Sequence, residues 1–292
     1  MSRLRAWAEL LRLPALFTVP GDGLAGAAAV AARPDRRTAL AVGCSLCLYE
    51  AGMALNDWAD QEEDAVERPH RPLPSGRVRP AAALAAACAL TAAGLALAAR
   101  AGRPALAVAV PLAATVWSYD LVLKRTPAGP GAMAVARGLD LLLGAAATGG
   151  RVRPALPSAA LLSTHTLAVT AVSRQETRDG TPLAPLAALA ATAGLTRLLP
   201  GDPGRDRPSS FRRHFLPTAL ALNYASATAR PYLHAALNPS PPLTQRAVGA
   251  GIRATIPLQA ALAARAGAGA TALGTAALAA LARRFSKRVS VT

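Results

Sequence analysis

The chain has 292 residues, of which 52% are hydrophobic, 16% are charged and 4% are aromatic. A soluble domain normally carries about 25% charged residues, so this composition indicates a membrane protein and excludes intrinsic disorder. Three cysteines are too few for a disulfide scaffold. The net charge of +16 does not indicate a nucleic-acid partner, because the basic residues are scattered between apolar runs and form no single patch.

Apolar runs of spanning length recur along the whole chain. A helix needs about 20 apolar residues to cross a bilayer. Candidate spans lie near residues 14–32, 38–56, 80–99, 104–119, 130–149, 155–173, 182–199, 214–235, 246–264 and 267–283. The run at 214–235 contains Asn223, Arg230 and His234, so it is either a tilted span or an interfacial helix. The pattern predicts one all-α integral membrane domain over residues 1–292, with nine or ten spans.

The N-terminal segment bears on orientation. Arg3, Arg5 and Arg12 favour a cytoplasmic start under the positive-inside rule. The first apolar run has full spanning length and lacks a small-residue cleavage site, which argues against a cleavable signal peptide. The later loops carry comparable numbers of arginines, so they do not decide the orientation. We expect a multi-pass protein of the cell inner (plasma) membrane, in contact with membrane lipid.

The acidic residues are concentrated directly after the second apolar run. Six of the sixteen lie within eleven residues, namely Asp57, Asp60, Glu62, Glu63, Asp64 and Glu67. On a continuous helix the spacing would bring Asp57, Asp60 and Asp64 onto one face, beside Asn56. Carboxylate and amide oxygens suit Mg²⁺. The alternative is a solvated acidic loop between two spans.

A basic, proline-rich run follows the acidic cluster at residues 68–77. Its prolines predict a rigid turn, and Arg68 and Arg71 lie close to the acidic residues in sequence. Acidic groups for a metal beside basic groups for an anion predict a site for a metal–phosphate complex.

These residues resemble the first signature of the UbiA superfamily of membrane prenyltransferases. That signature reads Asn-Asp-x-x-Asp-x-x-x-Asp and then Arg-Pro-x-Arg-Pro-Leu-Pro-Ser-Gly, and residues 56–64 and 68–76 match it throughout. Residues 12–22 and 119–125 also resemble the family, and the stretch 119–144 is most similar to its EboC-like branch. The resemblance covers roughly the N-terminal 60% of the chain.

The resemblance implies a bundle of about nine spans around a central cavity, with a prenyl diphosphate and Mg²⁺ between two acidic motifs at the cytoplasmic mouth. It implies that the diphosphate departs and that an acceptor captures the allylic carbocation. The implied catalytic residues are Asp57, Asp60, Asp64 and Lys124. The implied substrate-binding residues are Asn56, Arg68, Arg71, Tyr119, Lys124 and Arg137. Lys124 is the favoured diphosphate contact, and the alternative is a lysine that extends to the membrane interface.

The second acidic motif departs from the family pattern. The family usually presents two or more aspartates after the sixth span, whereas this chain offers Glu176 and Asp179, flanked by Arg174 and Arg178. The metal ligands implied by the two motifs together are Asn56, Asp57, Asp60, Asp64, Glu176 and Asp179. The alternative for the second motif is an ion pair at a helix end without a metal.

Other polar residues fall inside apolar runs. Glu50 is an intramembrane carboxylate and therefore a functional candidate, although a role in a polar network carries equal weight. Cys44 and Cys47 are expected to be small core residues, and His165 to form a hydrogen bond between helices. Aromatic residues could stabilise a carbocation by their π faces or anchor the chain at the interface; they are Tyr49, Trp117 and Tyr119.

The leading hypothesis is therefore a Mg²⁺-dependent membrane prenyltransferase that moves an isoprenyl group from a polyprenyl diphosphate to an aromatic or other small acceptor. The rival is a non-catalytic protein of the same fold that binds or helps to export an isoprenoid or other hydrophobic metabolite. A transporter is less favoured, because the acidic cluster follows the end of a span and does not lie at its middle. Prenyl length, acceptor and oligomeric state stay open.

Overall fold

The computed structural model describes residues 3–176, 180–200 and 211–289, and all regular secondary structure in this part of the chain is helical. The twelve α-helices are α1 Arg3–Leu10, α2 Pro20–Ala29, α3 Arg36–Ala59, α4 Gln61–Glu67, α5 Pro80–Ala101, α6 Arg103–Leu121, α7 Gly129–Gly149, α8 Leu156–Ser173, α9 Leu183–Leu198, α10 Phe211–Leu237, α11 Pro241–Arg265 and α12 Gly269–Val289. Short 3₁₀ helices occur at Leu13–Thr18, Leu123–Arg125 and Arg153–Ala155. The all-α prediction is confirmed.

Six helical segments of the described chain are long and apolar enough to cross a membrane. They are Arg36–Ala59, Pro80–Ala101, Arg103–Leu121, Gly129–Gly149, Arg153–Ser173 and Pro241–Arg265. Helix α9 and the apolar part of α12 are shorter, with 16 residues in α9. Helices occupy all ten predicted runs, but the count of nine or ten spans stays a prediction.

The run at 14–32 is not one regular helix. A six-residue 3₁₀ helix comes first, and the ten-residue α2 begins at Pro20. Proline has no N–H with which to continue a preceding α-helix, but it is well tolerated in the first turn of a new one. The helix type therefore changes at Pro20, and α2 itself covers only about 15 Å at 1.5 Å per residue.

Helix α10 occupies the run at 214–235 that the sequence left undecided. It has 27 residues with Pro217 and Pro231 inside it, and it packs against α9 and α11. Tyr224 and Tyr232 on this helix are almost fully buried. Helix α10 is thus a packed member of the bundle, although it is less apolar than the six segments above.

Successive long helices run in opposite directions, so their connections collect at two ends of the bundle. One end carries residues 56–79, 122–129, 174–182 and 238–241, and we call it the motif end. The backbone N–H of Gly180 donates to the carbonyl of Pro239 there, at 3.1 Å. At the opposite end, Arg265 donates to the carbonyl of Leu198 at 2.7 Å. The acidic and basic motifs therefore share one end.

Close helix packing in the interior depends on small residues. Helices α2 and α7 cross where a Cβ on Gly26 would overlap the carbonyl oxygen of Leu141, and one on Gly144 would overlap the backbone of Gly23. Close backbone approach at glycine is typical of packing between membrane helices. Cys44 is fully buried beside α5, and Cys47 is partly buried, both as free thiols. The two cysteines are core residues, as the sequence predicted.

Candidate active site

The acidic motif does not lie on one continuous helix. Helix α3 ends at Ala59, and Asp60 lies between α3 and α4, with φ of −99° and ψ of 9°. The prediction that Asp57, Asp60 and Asp64 share one helical face is therefore wrong in its geometry. Asp60 pairs with cations of the α6–α7 connection, whereas Asp57 and Asp64 share a different cation, as the ion pairs below show.

Asp57 and Asp64 converge on the same arginine. Arg71 lies 2.6 Å from an Asp64 carboxylate oxygen and 3.7 Å from one of Asp57. Both carboxylates are buried, and each has a further partner: Arg12 at 3.0 Å from Asp57, and Arg68 at 3.3 Å from Asp64. The turn after α4 thus returns the basic run to the acidic one, as the sequence predicted.

Asp60 faces the connection between α6 and α7. Its carboxylate lies 2.8 Å from the Lys124 ammonium and 3.0 Å from the Arg125 guanidinium. Lys124 also donates to the side-chain oxygen of Asn56 at 3.2 Å. The side chain of Lys124 is only 11% exposed, which contradicts the alternative of a lysine that extends into the interface. Lys124 instead links the connection between α6 and α7 to the acidic motif at the end of α3.

The donor set fits Mg²⁺ as part of a metal–diphosphate complex. Mg²⁺ is usually bound by one or two carboxylates and completes its coordination with water and phosphate oxygens, and Asn56, Asp57, Asp60 and Asp64 offer only oxygen ligands. In the described part of the chain, no three acidic, histidine or cysteine side chains form a metal cage on their own. The arginines and the lysine that pair with these carboxylates are also suited to bind phosphate oxygens.

The basic turn is fastened to the N-terminal helix. Arg77 forms a bidentate pair with Glu9 of α1, with distances of 2.6 and 3.0 Å. Gly76 has a φ of 71°, a left-handed conformation that favours glycine. The hydrogen bond from Arg77 lowers the pKa of Glu9. Helix α1 therefore braces the turn that carries Arg68 and Arg71.

The second motif also lies at the motif end. Arg174, just after α8, donates to the carbonyl of Thr126, and Gln245 donates to the carbonyl of Glu176 at 3.4 Å. Burial raises the pKa of Glu176, and attraction to Arg68 opposes that shift. Glu176 is therefore within electrostatic reach of the first motif. Asp179 and Arg178 lie outside the described residues.

Arg137 belongs to a different contact network inside the bundle. Its guanidinium lies 2.9 Å from the buried carboxylate of Asp22 and donates to the carbonyl of Thr18 at 3.3 Å. Gln259 of α11 donates to the same Asp22 at 2.6 Å, and Ser45 of α3 donates to Asp140. The structure does not bring Arg137 into the ion pairs of the motif end, so its predicted substrate contact stays a prediction.

The other residues that the sequence singled out have different surroundings in the structure. His165 hydrogen-bonds Tyr224 at 3.0 Å and the Gly251 carbonyl at 3.1 Å, which confirms its role between helices. Trp117 donates to Thr91 at 3.1 Å and packs against the cluster of α1, α3 and α5. Tyr119 lies near the C-terminal end of α6, which leads into the connection that carries Lys124.

Sequence reasoning missed two cations of this site. Arg12 pairs with Asp57, and Arg125 pairs with Asp60. Both residues lay in the stretches that resemble the family, but no local spacing connects them to acids 45 and 65 residues away. Only the topology could have indicated them. Arg12 follows α1 and Arg125 precedes α7, and both connections lie at the same end of the bundle as the acidic motif.

Comparison with known proteins assigns the family. The family model of the UbiA prenyltransferases matches residues 15–199, well over half of the chain. The chain belongs to the UbiA prenyltransferase family. Placement in the EboC-like branch stays a prediction.

Named relatives include two archaeal digeranylgeranylglyceryl phosphate synthases. The protein of Methanopyrus kandleri is 38% identical over 42% of this chain and 46% of its own length. That of Natronomonas pharaonis is 32% identical over 62% of this chain and 66% of its own length. The chain thus spans about half to two thirds of the length of these curated relatives.

Solved structures share the fold. A UbiA homologue from Aeropyrum pernix K1 has a TM-score of 0.65 and 19% identity, over 85% of this chain and 96% of its own. A UbiA homologue from Archaeoglobus fulgidus, bound to GPP and Mg²⁺, has a TM-score of 0.60 and 17% identity, over 86% of this chain and 99% of its own. At these identities the likeness shows the fold alone.

Proposed function

We propose that this protein is a Mg²⁺-dependent membrane prenyltransferase that moves an isoprenyl group from a polyprenyl diphosphate to a small acceptor. The observation that carries the proposal is the convergence at the motif end of Asp57, Asp60 and Asp64 with four arginines and a lysine. Membership of the UbiA prenyltransferase family and the archaeal homologue bound to GPP and Mg²⁺ support it.

The motif end supplies groups for holding a diphosphate. Asn56, Asp57, Asp60 and Asp64 would hold Mg²⁺, which supplies positive charge to the departing diphosphate. Lys124, Arg68 and Arg71 bind the diphosphate oxygens and stabilise the negative charge that grows as the carbon–oxygen bond breaks. Tyr119 borders this group. Arg137 is kept as a proposed substrate contact, although in the structure its guanidinium pairs with Asp22.

In this proposal the second motif contributes to catalysis. Glu176 and Asp179 would hold a second Mg²⁺ against the same diphosphate. Glu176→Gln should then reduce turnover far more than substrate affinity, because its carboxylate acts on charge that develops in the transition state. Loss of a purely structural interaction should instead lower thermal stability and leave turnover per folded molecule unchanged.

For the acceptor, the names of the relatives favour a hydroxyl group. Proteins named digeranylgeranylglyceryl phosphate synthase point to a prenylated glyceryl phosphate as product, so we propose a hydroxyl-bearing lipid phosphate ahead of an aromatic ring. The aromatic acceptor predicted from the sequence is the second candidate. Prenyl chains of 10 to 20 carbons are the donors to test.

A non-catalytic binding protein is the rival function, and the unusual second motif favours it. The deciding experiment incubates purified protein in lipid nanodiscs with labelled geranyl, farnesyl and geranylgeranyl diphosphates, Mg²⁺, and a panel of glyceryl phosphate lipids and aromatic acids. Product with one acceptor class supports the proposal and identifies that class. Thermal stabilisation by the diphosphates without product or diphosphate release across the panel would support the binder.

We also propose that the motif end faces the cytoplasm across the inner (plasma) membrane. The N-terminal arginines of the sequence support this orientation. In a variant without native cysteines, impermeant reagent should label Arg103→Cys at the opposite end from outside the cell, and should not label Glu62→Cys at the motif end. The reverse labelling pattern would contradict the orientation.

A further inference from the structure

Glu50 is a buried acid whose side chain has no hydrogen-bond partner among the described residues. It lies in the middle of α3 and is 8% exposed. Both of its side-chain oxygens are enclosed. A polar group that is buried without a hydrogen bond destabilises a fold, and a carboxyl group does so strongly. Such a residue requires an explanation other than stability.

Four of the five other buried acids of the described chain show how the fold normally accommodates a carboxylate, and the fifth, Asp120, is attracted electrostatically by Lys124. Asp22 has Arg137 and Gln259, and Asp140 has Ser45. Asp57 and Asp64 have arginines. In contrast, neither carboxyl oxygen of Glu50 forms an ion pair or a hydrogen bond with any residue that the structure describes. The structure therefore offers no support for Glu50 as a member of a polar network.

The position of Glu50 relates it to the motif end. It precedes Asp57 by seven residues, which is about two helical turns, so the two side chains lie on nearly the same stripe of α3. Glu50 is therefore about 10 Å deeper in the bundle than Asp57. If the diphosphate binds at Asp57 and Asp60 and its prenyl chain extends into the bundle, the first prenyl carbon lies on the Glu50 side of the carboxylates.

We infer that Glu50 accepts a hydrogen bond from the hydroxyl group of the acceptor and so positions it toward the prenyl carbon. This inference rests on the proposed prenyltransferase function and adds to it a residue that selects hydroxyl-bearing acceptors. A hydroxyl donor would satisfy the carboxyl oxygens that no described residue pairs. A site of this kind rejects an analogue without the hydroxyl strongly, because the buried acceptor atoms are again left without a partner.

The test compares Glu50→Leu with Glu50→Gln in nanodiscs, with the acceptor and prenyl diphosphate that the wild type uses. Leucine fills similar space and cannot hydrogen-bond, so kcat/KM for the acceptor should fall about 100-fold, while KM for the diphosphate stays unchanged. Glutamine keeps a hydrogen-bonding oxygen and should retain activity within about 5-fold. Glu62→Gln, which removes an exposed acid of α4, should match the wild type.

Thermal unfolding separates positioning from a structural role. Glu50→Leu removes an unpaired buried polar group, so its Tm should equal or exceed that of the wild type. Unchanged acceptor kinetics in Glu50→Leu would overturn the inference, and so would a lowered Tm with activity lost only in proportion to unfolding. Absence of product from the wild type with every acceptor would instead refute the proposed function, and this inference with it.

Discussion

At the scale of single residues, the three aspartates of the first motif differ in their surroundings. Asp64 is enclosed between Arg68 and Arg71, whereas the Asp60 side chain is 18% exposed and faces Lys124. A buried ion pair that loses one partner leaves an uncompensated charge, while a more exposed carboxylate can be replaced at little cost in stability. Their substitutions should therefore separate stability from activity.

We predict that Asp60→Asn lowers prenyl transfer at least about 100-fold and costs less stability than Asp64→Asn, because its side chain is more exposed and its amide oxygen can still accept a hydrogen bond from Lys124. Asp64→Asn should lower activity as well and should destabilise the fold by about 2 kcal/mol, because Arg71 loses its nearest carboxylate. Initial rates and thermal unfolding in the same nanodiscs measure both effects. Equal loss of stability in the two variants would contradict the difference in burial.

The sequence identified the acids of this site but not their pairing. The carboxylates were conspicuous because six acids occur between residues 57 and 67 of a chain that has sixteen. Their partners are set by tertiary contacts, such as the pair of Arg12 and Asp57, which are 45 residues apart. No periodicity within a helix encodes such a contact, so it became visible only in the structure.

At the scale of helices, close crossings hold the bundle beneath the motif end. Helices α2 and α7 approach until Gly26 touches the backbone of α7 and Gly144 touches that of α2. Buried contacts of Asp22, Arg137 and Gln259 add polar links between α2, α7 and α11. These links lie inside the bundle and join three of its helices.

Gly26→Ala should destabilise the protein by about 2–3 kcal/mol, because the new methyl group would overlap the carbonyl oxygen of Leu141 and force α2 from α7. Gly194→Ala in α9 is the matched control, since no atom lies near its added methyl group. That control should stabilise the helix by up to about 1 kcal/mol. Similar Tm values for the two variants would refute the close crossing.

The contact between Glu9 and Arg77 predicts a pH dependence. The pKa of Glu9 is lowered in the folded protein, so its contribution to stability is present above the unfolded pKa and is lost as pH falls through the folded pKa. The Tm difference between wild type and Glu9→Gln should therefore favour the wild type at pH 7 and vanish in the acid range. A difference that stays constant down to about pH 3 would show that Glu9 is not paired.

The break at Asp60 shows why the detailed site geometry exceeded what the sequence could predict. A spacing of three and four residues indicates one face only if the helix is continuous, and α3 ends one residue before Asp60. The all-helical class was predictable from the length of the apolar runs. The division of run 14–32 into a 3₁₀ helix and α2, like the break at Asp60, depends on local backbone geometry.

At the scale of the whole molecule, charge is distributed unequally between the two ends. The motif end combines acids with basic residues, whereas the opposite end of the described chain exposes nine arginines, namely Arg33, Arg36, Arg37, Arg100, Arg103, Arg151, Arg153, Arg197 and Arg265. Among the described residues at that end, the only acid is Asp35, whose carboxylate accepts a hydrogen bond from Thr38. An end of this kind is attracted to anionic headgroups.

We therefore expect a higher Tm in nanodiscs that contain phosphatidylglycerol than in phosphatidylcholine alone, with a difference that decreases as salt is added. A variant with both Arg36→Gln and Arg37→Gln should show a smaller Tm difference, because each arginine near an anionic surface contributes about 1 kcal/mol of attraction. Arg5→Gln combined with Arg79→Gln, at the motif end, is the control with equal charge loss. If the control pair reduced the Tm difference as much, attraction of the opposite end to anionic lipid would be refuted.

The most direct measurement of the proposed activity follows prenylated product and released diphosphate together in a single turnover. We expect the two to appear in equal amounts with the wild type and Mg²⁺, to be absent when EDTA removes the metal, and to form at least about 100-fold more slowly with Asp60→Asn. Product formation that is indifferent to EDTA and to Asp60→Asn would contradict a metal–diphosphate site at the motif end. Diphosphate analogue binding without product from any acceptor would contradict the enzyme itself.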